Sequence, residues 1–241
     1  MALARVEFLA GMKAELPILI GVIPFGMIYG VLALSAGIPP LPAQAMSMIV
    51  FAGSAQILVT QLVNTGAPWV VVVLSVAVVN LRHALYSASI APFLKRLNPA
   101  WKCLLAYLLT DEAYAVSIIQ YQKEAEESSV SHSGNQHWFF LGAGLALWAS
   151  WQASTAVGIL LGAVIPSNWS LDFTLALTFI ALVVPSLKDP ASLAAALIAG
   201  IVAILGHAWP YKLGLLLAAL TGILAAVAYE LIWQKFQGAS Q

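Results

Sequence analysis

The sequence predicts an all-α polytopic membrane protein with about six to eight membrane segments. Of its 241 residues, 61% are hydrophobic and only 8% are charged, whereas a soluble domain carries about 25% charged residues. The apolar residues form long runs, as membrane-spanning helices do. The strands of a β-barrel would instead alternate polar and apolar residues over segments of about ten residues.

The composition also limits the chemistry and the partners that we expect. A formal net charge of zero gives no reason to expect nucleic acid. The single cysteine, Cys103, cannot form an internal disulfide, and the four histidines show no metal-ligand spacing. We therefore expect no metal and no cofactor, and no catalytic motif marks the chain as an enzyme.

The apolar runs follow a short amphipathic segment at 1–15. They lie at about 16–36, 42–65, 68–91, 100–120, 138–165, 171–187, 190–208 and 211–234. The one long polar stretch, 121–137, joins the two halves of a single transporter domain, about 1–120 and 138–241. Asn98 and Pro99 are typical of a helix start and should cap the fourth run.

The positive charges favour one topology for these runs. If every run crossed, the loop Lys and Arg residues would divide almost evenly between the two sides, which natural topologies rarely do. If 42–65 and 171–187 re-enter instead, seven positive residues become cytoplasmic and two become external. The cytoplasmic ones would be Arg5, Lys13, Lys95, Arg96, Lys102, Lys188 and Lys235, and the external ones Lys123 and Lys212. The loop at 121–137 would then be external.

The same arrangement makes the two halves inverted repeats of three crossings each, a common plan in secondary transporters. A faint sequence repeat agrees with a duplication, because Tyr29-Gly30 matches Val157-Gly158 at an offset of about 128 residues.

Arg82 is the most unusual residue of the third run. It lies about 15 Å along a helix from the nearer end of that run, where a bilayer offers no water to its charge. Arg82 either pairs with an acidic residue to fix helix packing or clamps a substrate carboxylate with two hydrogen bonds. Tyr86, one turn later, shares its face. His83 points elsewhere and is either a hydrogen-bonded filler or a proton carrier.

Asp111 and Glu112 lie equally deep in the fourth run. Two adjacent carboxylates among leucines cannot both be ionised cheaply, so one should pair with Arg82 and the other should exchange a proton. The apolar run continues to Ile119, and we therefore expect the pair inside a crossing helix rather than at a helix end.

Small and polar residues interrupt the second run at 51–56. If this run re-enters, its unwound tip would present backbone N–H groups and a half-helix N-terminus to an anion, with Ser54 and Gln56 among the substrate-binding residues. Ordinary packing of small residues is the alternative.

Four motifs together resemble those of the AzlC family. They are Pro24-Phe25-Gly26 with Tyr29-Gly30, the stretch 51–56 (Phe-Ala-Gly-Ser-Ala-Gln), the stretch 80–86 (Asn-Leu-Arg-His-Ala-Leu-Tyr) and the stretch 109–112 (Leu-Thr-Asp-Glu). The resemblance implies export of branched-chain amino acids across the bacterial inner membrane, with a small membrane partner of the AzlD type.

On this basis we expect a secondary transporter that exports leucine, isoleucine or valine, coupled to protons. Arg82, Tyr86, Ser54 and Gln56 would bind the substrate, and Asp111, Glu112 and His83 would carry the coupling proton. Two alternatives stay open: a channel-like conductor of small solutes, and a membrane enzyme that acts on lipid with His83 and Asp111 as acid and base.

Overall fold

The computed structural model describes residues 2–126, 135–163, 187, 189–210 and 213–238. Within these ranges the regular structure is helical, without strands. The helices are α1 (Ala2–Ser35), α2 (Pro40–Ile49), α3 (Gly53–Asn64), α4 (Trp69–Leu94), α5 (Pro99–Tyr107), α6 (Asp111–Glu126), α7 (Gln136–Gly162), α8 (Pro190–Leu205) and α9 (Leu213–Gly238). Four of them, over Leu3–Ser35, Trp69–Leu94, Gln136–Gly162 and Leu213–Trp233, are long and apolar enough to cross a membrane. The predicted all-α membrane protein is confirmed.

Proline occupies the first turn of α2, α5 and α8, where the missing N–H group costs nothing. The predicted cap of α5 is present, since the Trp101 N–H donates to the Asn98 side chain over 3.0 Å. Asp189 caps α8 in the same way, accepting from the Ser192 N–H over 2.8 Å. The hydrogen bonds from Ser192 hold the pKa of the Asp189 carboxyl below its usual range.

The chain forms two compact units. The first consists of Met1–Gln61 and Val79–Ser167, and the second of Leu62–Val78 and Asn168–Gln241. In the second unit α8 and α9 pack as an antiparallel pair, because Gly206 lies against Gly214 while Ala199 lies against Gly222. The re-entrant segment predicted at 171–187 lies outside the described residues except for its last one.

In the first unit, the long helices α1 and α7 pack side by side and run in the same direction. Phe8 and Met27 of α1 lie against Gly142 and Gly158 of α7, so residue numbers rise together along both helices. A methyl group on Gly158 would lie 2.1 Å from the Met27 carbonyl oxygen. Such small residues let two backbones touch, which favours association of membrane helices.

The first predicted re-entrant segment consists of α2 and α3. α2 starts just beyond the end of α1 and packs back on it, where the Tyr29 hydroxyl donates to the Ala43 carbonyl over 2.8 Å. α3 starts at Gly53, where an added methyl group would lie 2.7 Å from the Trp151 ring. The break at 50–52 therefore lies at the depth of the middle of α7.

The contacts of α4 fix the direction of α3. Arg82 of α4 donates to Ser54 at the start of α3, and farther along α4 the Phe93 ring packs on Tyr121. The Tyr121 hydroxyl donates to the carbonyl of Gln136 at the start of α7 over 2.7 Å. Hence α4 runs from the break toward the end where α7 begins.

Within the first unit, Gly53 of α3 lies close to Phe25 of α1. Gln56, farther along α3, lies beside Tyr29 of α1, so α3 follows the direction of α1 toward the end from which α2 enters. This segment therefore re-enters as predicted.

The run at 100–120, which was predicted to cross the membrane, is instead a second hairpin formed by α5 and α6. α5 enters beside the start of α7, where the centroids of the Trp101 and His137 rings lie 4.7 Å apart. The helix breaks at 108–110, and α6 returns to the same end at Tyr121. The hydropathy of this run shows its length but not its break, which is why the prediction was wrong.

This second hairpin changes the topology of the first unit. The starts of α1 and α7 and the end of α6 share one end, where Glu7 and Glu124 interact electrostatically. The predicted external loop 121–137 therefore borders the same end as the N-terminal part of α1. The prediction of inverted halves is also wrong for α1 and α7, since inverted halves would need these helices to run in opposite directions.

The positive charges of the first unit gather at this end. Apart from Arg82, its Lys and Arg residues lie in segments that border it, namely Arg5, Lys13, Lys95, Arg96, Lys102 and Lys123. We call it the basic end. Because Lys and Arg are enriched in cytoplasmic loops, the basic end should be cytoplasmic.

We predict that Asn98 and Asn135 are both cytoplasmic. In a Cys103→Ser background, cysteines at these two positions should resist a membrane-impermeant thiol reagent in intact cells and react in inverted vesicles. A cysteine in place of Ser35, at the opposite end of α1, should show the reverse pattern. Opposite accessibility of positions 98 and 135 would contradict the second hairpin.

We also predict that Gly158→Ala destabilises the protein by about 1–3 kcal/mol, because the added methyl group overpacks against the Met27 backbone. The matched control is Gly21→Ala, since a methyl group there would have nothing within 4 Å. Thermal unfolding of the detergent-solubilised variants measures the difference. Equal stability of the two would show that α1 and α7 are not in backbone contact.

Candidate functional site

The breaks of the two hairpins meet inside the first unit. The Tyr107 hydroxyl, at the end of α5, donates to the carbonyl of Met48 in α2. The Phe51 ring lies 6.2 Å from the Tyr107 ring, and Trp148 of α7 donates to the Tyr107 hydroxyl over 2.7 Å. Two interrupted helices that meet at membrane depth are the arrangement in which many transporters place their substrate.

Arg82 joins the two breaks. One of its terminal nitrogens, Nη1, forms a salt bridge with Asp111 at the start of α6, and the other, Nη2, donates to the Ser54 hydroxyl over 2.7 Å. The predicted pairing of Arg82 with an acidic residue is thus present, and Asp111 is the partner. The side chains of Arg82 and Asp111 are 33% and 38% exposed, so the described residues do not enclose the pair fully.

Asp111 and Glu112 lie in the first turn of α6, not in the middle of a crossing helix as predicted. Thr110 precedes them, and its hydroxyl accepts from the Ala113 N–H over 3.3 Å, as in a helix N-cap. A threonine followed by two acidic residues is a sequence signal for a helix start. The partial positive charge at a helix N-terminus suits acidic side chains in the first turn, which is where both carboxyl groups lie.

Tyr86 and Tyr114 form an aromatic wall next to this pair. Their rings stack at a centroid distance of 4.7 Å, one turn after Arg82 on α4 and three residues after Asp111 on α6. His83 meets the edge of Tyr86, with ring centroids 6.0 Å apart. Its Nδ1 lies 3.2 Å from the carbonyl oxygen of Asn80, within hydrogen-bonding distance.

Gln56 is not brought to Arg82, unlike Ser54. It follows Ser54 by two residues, so it points about 200° around the helix, and it is fully buried beside Tyr29. Trp151 is also buried and packs on the rings of Phe25 and Tyr29. These residues stabilise the hairpin against α1 and α7.

Glu15 is a buried acidic residue that the sequence analysis did not single out. It lies in α1, is fully buried, and neither carboxyl oxygen has a hydrogen-bond partner in the described part of the chain. It interacts electrostatically with Glu112. Residues 1–15 were predicted to be an amphipathic lead-in segment, and Glu15 was therefore not considered as a buried acid. A lone Glu between Ala14 and Leu16 in a long apolar helix does, however, indicate a functional ionisable residue.

An apolar cavity of about 340 Å³ lies between α4, α5 and α7. Leu109 lines it beside the second break, and Lys95 and Lys102 line it at the basic end. Within the described ranges, no three His, Cys, Asp or Glu residues are placed to hold a metal ion.

A family comparison identifies the chain. The sequence model described as "AzlC protein" matches residues 17–165, a range that includes both hairpins, α4 and α7. The chain belongs to the AzlC family. The matching relatives are named as membrane proteins, and with its apolar helices this AzlC-family chain is a multi-pass membrane protein.

Two relatives align with most of the AzlC-family chain. It is 28% identical to "Inner membrane protein YgaZ" of Escherichia coli (strain K12), over 96% of this chain and 93% of the relative. It is 30% identical to an "Uncharacterized membrane protein" of Archaeoglobus fulgidus, over 89% of this chain and 92% of that relative. No solved structure matches the chain.

We predict that Asp111→Asn lowers membrane abundance, because it leaves the Arg82 cation without its ionic partner. Removing one partner of a buried pair costs about 3–5 kcal/mol, and the partial exposure here places the loss at or below the lower end. Adding Arg82→Gln should restore abundance by removing the unpaired charge. Quantitative immunoblots of membranes measure both variants, and a double variant no more abundant than Asp111→Asn would show that the pair does not stabilise the fold.

Proposed function

We propose that this AzlC-family protein exports branched-chain amino acids in exchange for protons. The observation that carries the proposal is the Arg82–Asp111 pair at the meeting point of two helix breaks. It offers a cation, an anion and interrupted helix ends in one place, and solute sites of secondary transporters are built in this way.

The charge around Arg82 favours a carboxylate. The N-termini of α3 and α6 both face it, and each carries a partial positive charge. Together with the guanidinium they exceed the single negative charge of Asp111. A substrate carboxylate would add the missing negative charge by replacing the Ser54 or the Asp111 contact on Arg82.

The remaining parts of the substrate also have partners. When the substrate carboxylate binds Arg82 in place of Asp111, the Asp111 carboxylate can accept hydrogen bonds from the α-ammonium group of the substrate. The stacked Tyr86 and Tyr114 rings provide an apolar wall for a leucine, isoleucine or valine side chain. The cavity between α4, α5 and α7 provides an apolar approach from the basic end, with Lys95 and Lys102 attracting the carboxylate.

Glu112 is the best candidate for the coupling proton. Arg82 pairs with Asp111, so the second carboxylate has no cation of its own in the described contacts. Glu112 also interacts with two neighbouring carboxyl groups, those of Asp111 and Glu15. A proton on Glu112 relieves this repulsion, and its release would add a negative charge beside the substrate site.

The setting of the transporter follows from the family and its relatives. The cytoplasmic membrane of a bacterial cell is the proposed location, as the name of the Escherichia coli relative states for that protein. A small membrane subunit of the AzlD type is the proposed partner. Lipid surrounds the exposed apolar residues of the spanning helices.

Efflux of labelled leucine from preloaded vesicles tests the proposal. Efflux should require the protein, respond to an imposed pH gradient, and increase when the AzlD-type subunit is present. Efflux that is fast, non-saturable and independent of the gradient would favour a channel-like conductor. Release of a modified lipid with no leucine flux would favour an enzyme that uses His83 and Asp111.

We predict that Arg82→Lys reduces leucine efflux about tenfold or more, because one ammonium group cannot bridge Asp111 and Ser54 as the planar guanidinium does. Arg96→Lys, at the basic end, is the control with the same chemical change. Efflux is compared at equal membrane abundance. If both variants transport at the wild-type rate, the planar guanidinium has no special role in the site.

We predict that Glu112→Gln separates transport from proton coupling. The amide keeps the shape of the side chain but does not titrate, so exchange of labelled for unlabelled leucine should continue. Acceleration of efflux by a pH gradient should disappear. Full acceleration in this variant would exclude Glu112 as the proton carrier and leave Asp111 and His83, the other two predicted residues.

A further inference from the structure

Glu15 is a deeply buried carboxyl group to which the proposed transport mechanism gives no role. It is fully buried in α1, and both of its oxygens lack a hydrogen-bond partner among the described residues. An ionised carboxylate in this position would be very costly, so the stable form holds a proton.

The helices around Glu15 contain few groups that could neutralise the charge of an ionised Glu15 carboxylate. The α7 sequence has no Asp, Glu, Lys or Arg, and its one histidine, His137, lies at its start. On α6 the interacting group is Glu112, which is also acidic. Lys13, two residues away on α1, is exposed and points about 200° around the helix.

Buried polar groups also lie on α6 between Glu112 and the basic end. On α6, Ser117 and Tyr121 are fully buried one turn apart, and the Ser117 hydroxyl has no partner in the described part of the chain. Tyr121 interacts electrostatically with Glu124 and Glu7 at the basic end. Glu7 and Glu15 lie about 12 Å apart along α1.

Buried polar atoms without protein partners are typical sites of ordered water, which would connect groups at such spacing. Glu112 interacts with Glu15, and Tyr121 interacts with the acidic pair Glu7 and Glu124 at the basic end. Carboxyl and hydroxyl groups placed at both ends of the buried part of α6 resemble the carboxyl relays of membrane pumps.

We propose that Glu15 is a proton-carrying residue that passes the proton between Glu112 and the basic end of the first unit. No bond other than O–H is made or broken: the proton that Glu112 gives up is taken by the Glu15 carboxylate, which has released its own proton toward Glu124 and Glu7. The role in transport rests on the proposed function, whereas the protonation of Glu15 does not.

The test uses Glu15→Gln in the full-length protein, with Glu230→Gln on an exposed face of α9 as the control. In leucine-loaded vesicles, Glu15→Gln should keep leucine exchange without a gradient and lose gradient-driven efflux by about tenfold or more. The control should keep both. Full gradient-driven efflux in Glu15→Gln would overturn the relay.

A second measurement separates this proposal from the transport proposal. Infrared difference spectra of purified protein across a pH titration should contain carbonyl bands of protonated carboxylic acids, and Glu112→Gln identifies the one that belongs to Glu112. In the Glu112→Gln background a carbonyl band should remain, and adding Glu15→Gln should remove it while adding Glu230→Gln should not. If the wild-type protein moves no leucine but this band is lost, the transport proposal fails and the proton site stands. An unchanged band overturns the proton site, whatever the flux.

If Glu15→Gln does not accumulate, Glu15→Asp takes its place, since it keeps the acid but shortens its reach by one methylene group. The carboxylic acid band should then persist at a shifted frequency, and gradient-driven efflux should slow relative to exchange. An unshifted band with an unchanged ratio of the two rates would also overturn the proposal.

Discussion

The contact of one guanidinium with two helix starts holds the centre of the first unit together. Each hairpin interrupts its helix at membrane depth, and an interruption there leaves backbone groups that lipid cannot satisfy. Such breaks are tolerated only where protein or a polar cavity surrounds them. Arg82 brings Ser54 of one hairpin and Asp111 of the other to the same point, while Tyr107 links the second break to the backbone of the first. Arg82 therefore pairs polar side chains of the two breaks, and the Tyr107 hydroxyl satisfies one backbone carbonyl of the first hairpin.

This contact also connects folding with function. Asp111 neutralises Arg82 when no solute is bound, so the same carboxylate that stabilises the fold competes with a substrate carboxylate for the guanidinium. A solute that brings both charges can replace this ion pair without leaving either partner exposed to lipid. An uncharged apolar solute cannot do so. In the proposed function, this pair would select a zwitterion, and the adjoining tyrosines would favour an apolar side chain.

The sequence predicted the elements that depend on composition and local spacing. The helical class, the interruption at 51–56, the pairing of Arg82 with an acidic residue and the shared face of Tyr86 all follow from hydropathy and helical period. The break at 108–110 did not, because Leu108 and Leu109 favour continuation and only Thr110 marks a new start. The predicted direction of α7 was wrong for the same reason. A hairpin starts and ends on one side of the membrane, so reading it as a crossing helix reverses the direction of every later helix. The burial of Glu15 depends on packing by α6 and α7, which no local pattern reports.

The backbone contact between α1 and α7 has a mechanical consequence. Because Met27 and Gly158 approach each other through main-chain atoms, sliding or rolling of either helix would cause a clash. We therefore expect the two helices to move as one rigid unit. Among the described contacts the breaks of the hairpins are held mainly by side chains, as between Arg82, Ser54 and Asp111, although Leu108 also packs closely on Gly144 of α7. The site would then open alternately to the two sides of the membrane when the hairpins tilt relative to the rigid pair of α1 and α7. Each tilt would break the Arg82–Asp111 salt bridge.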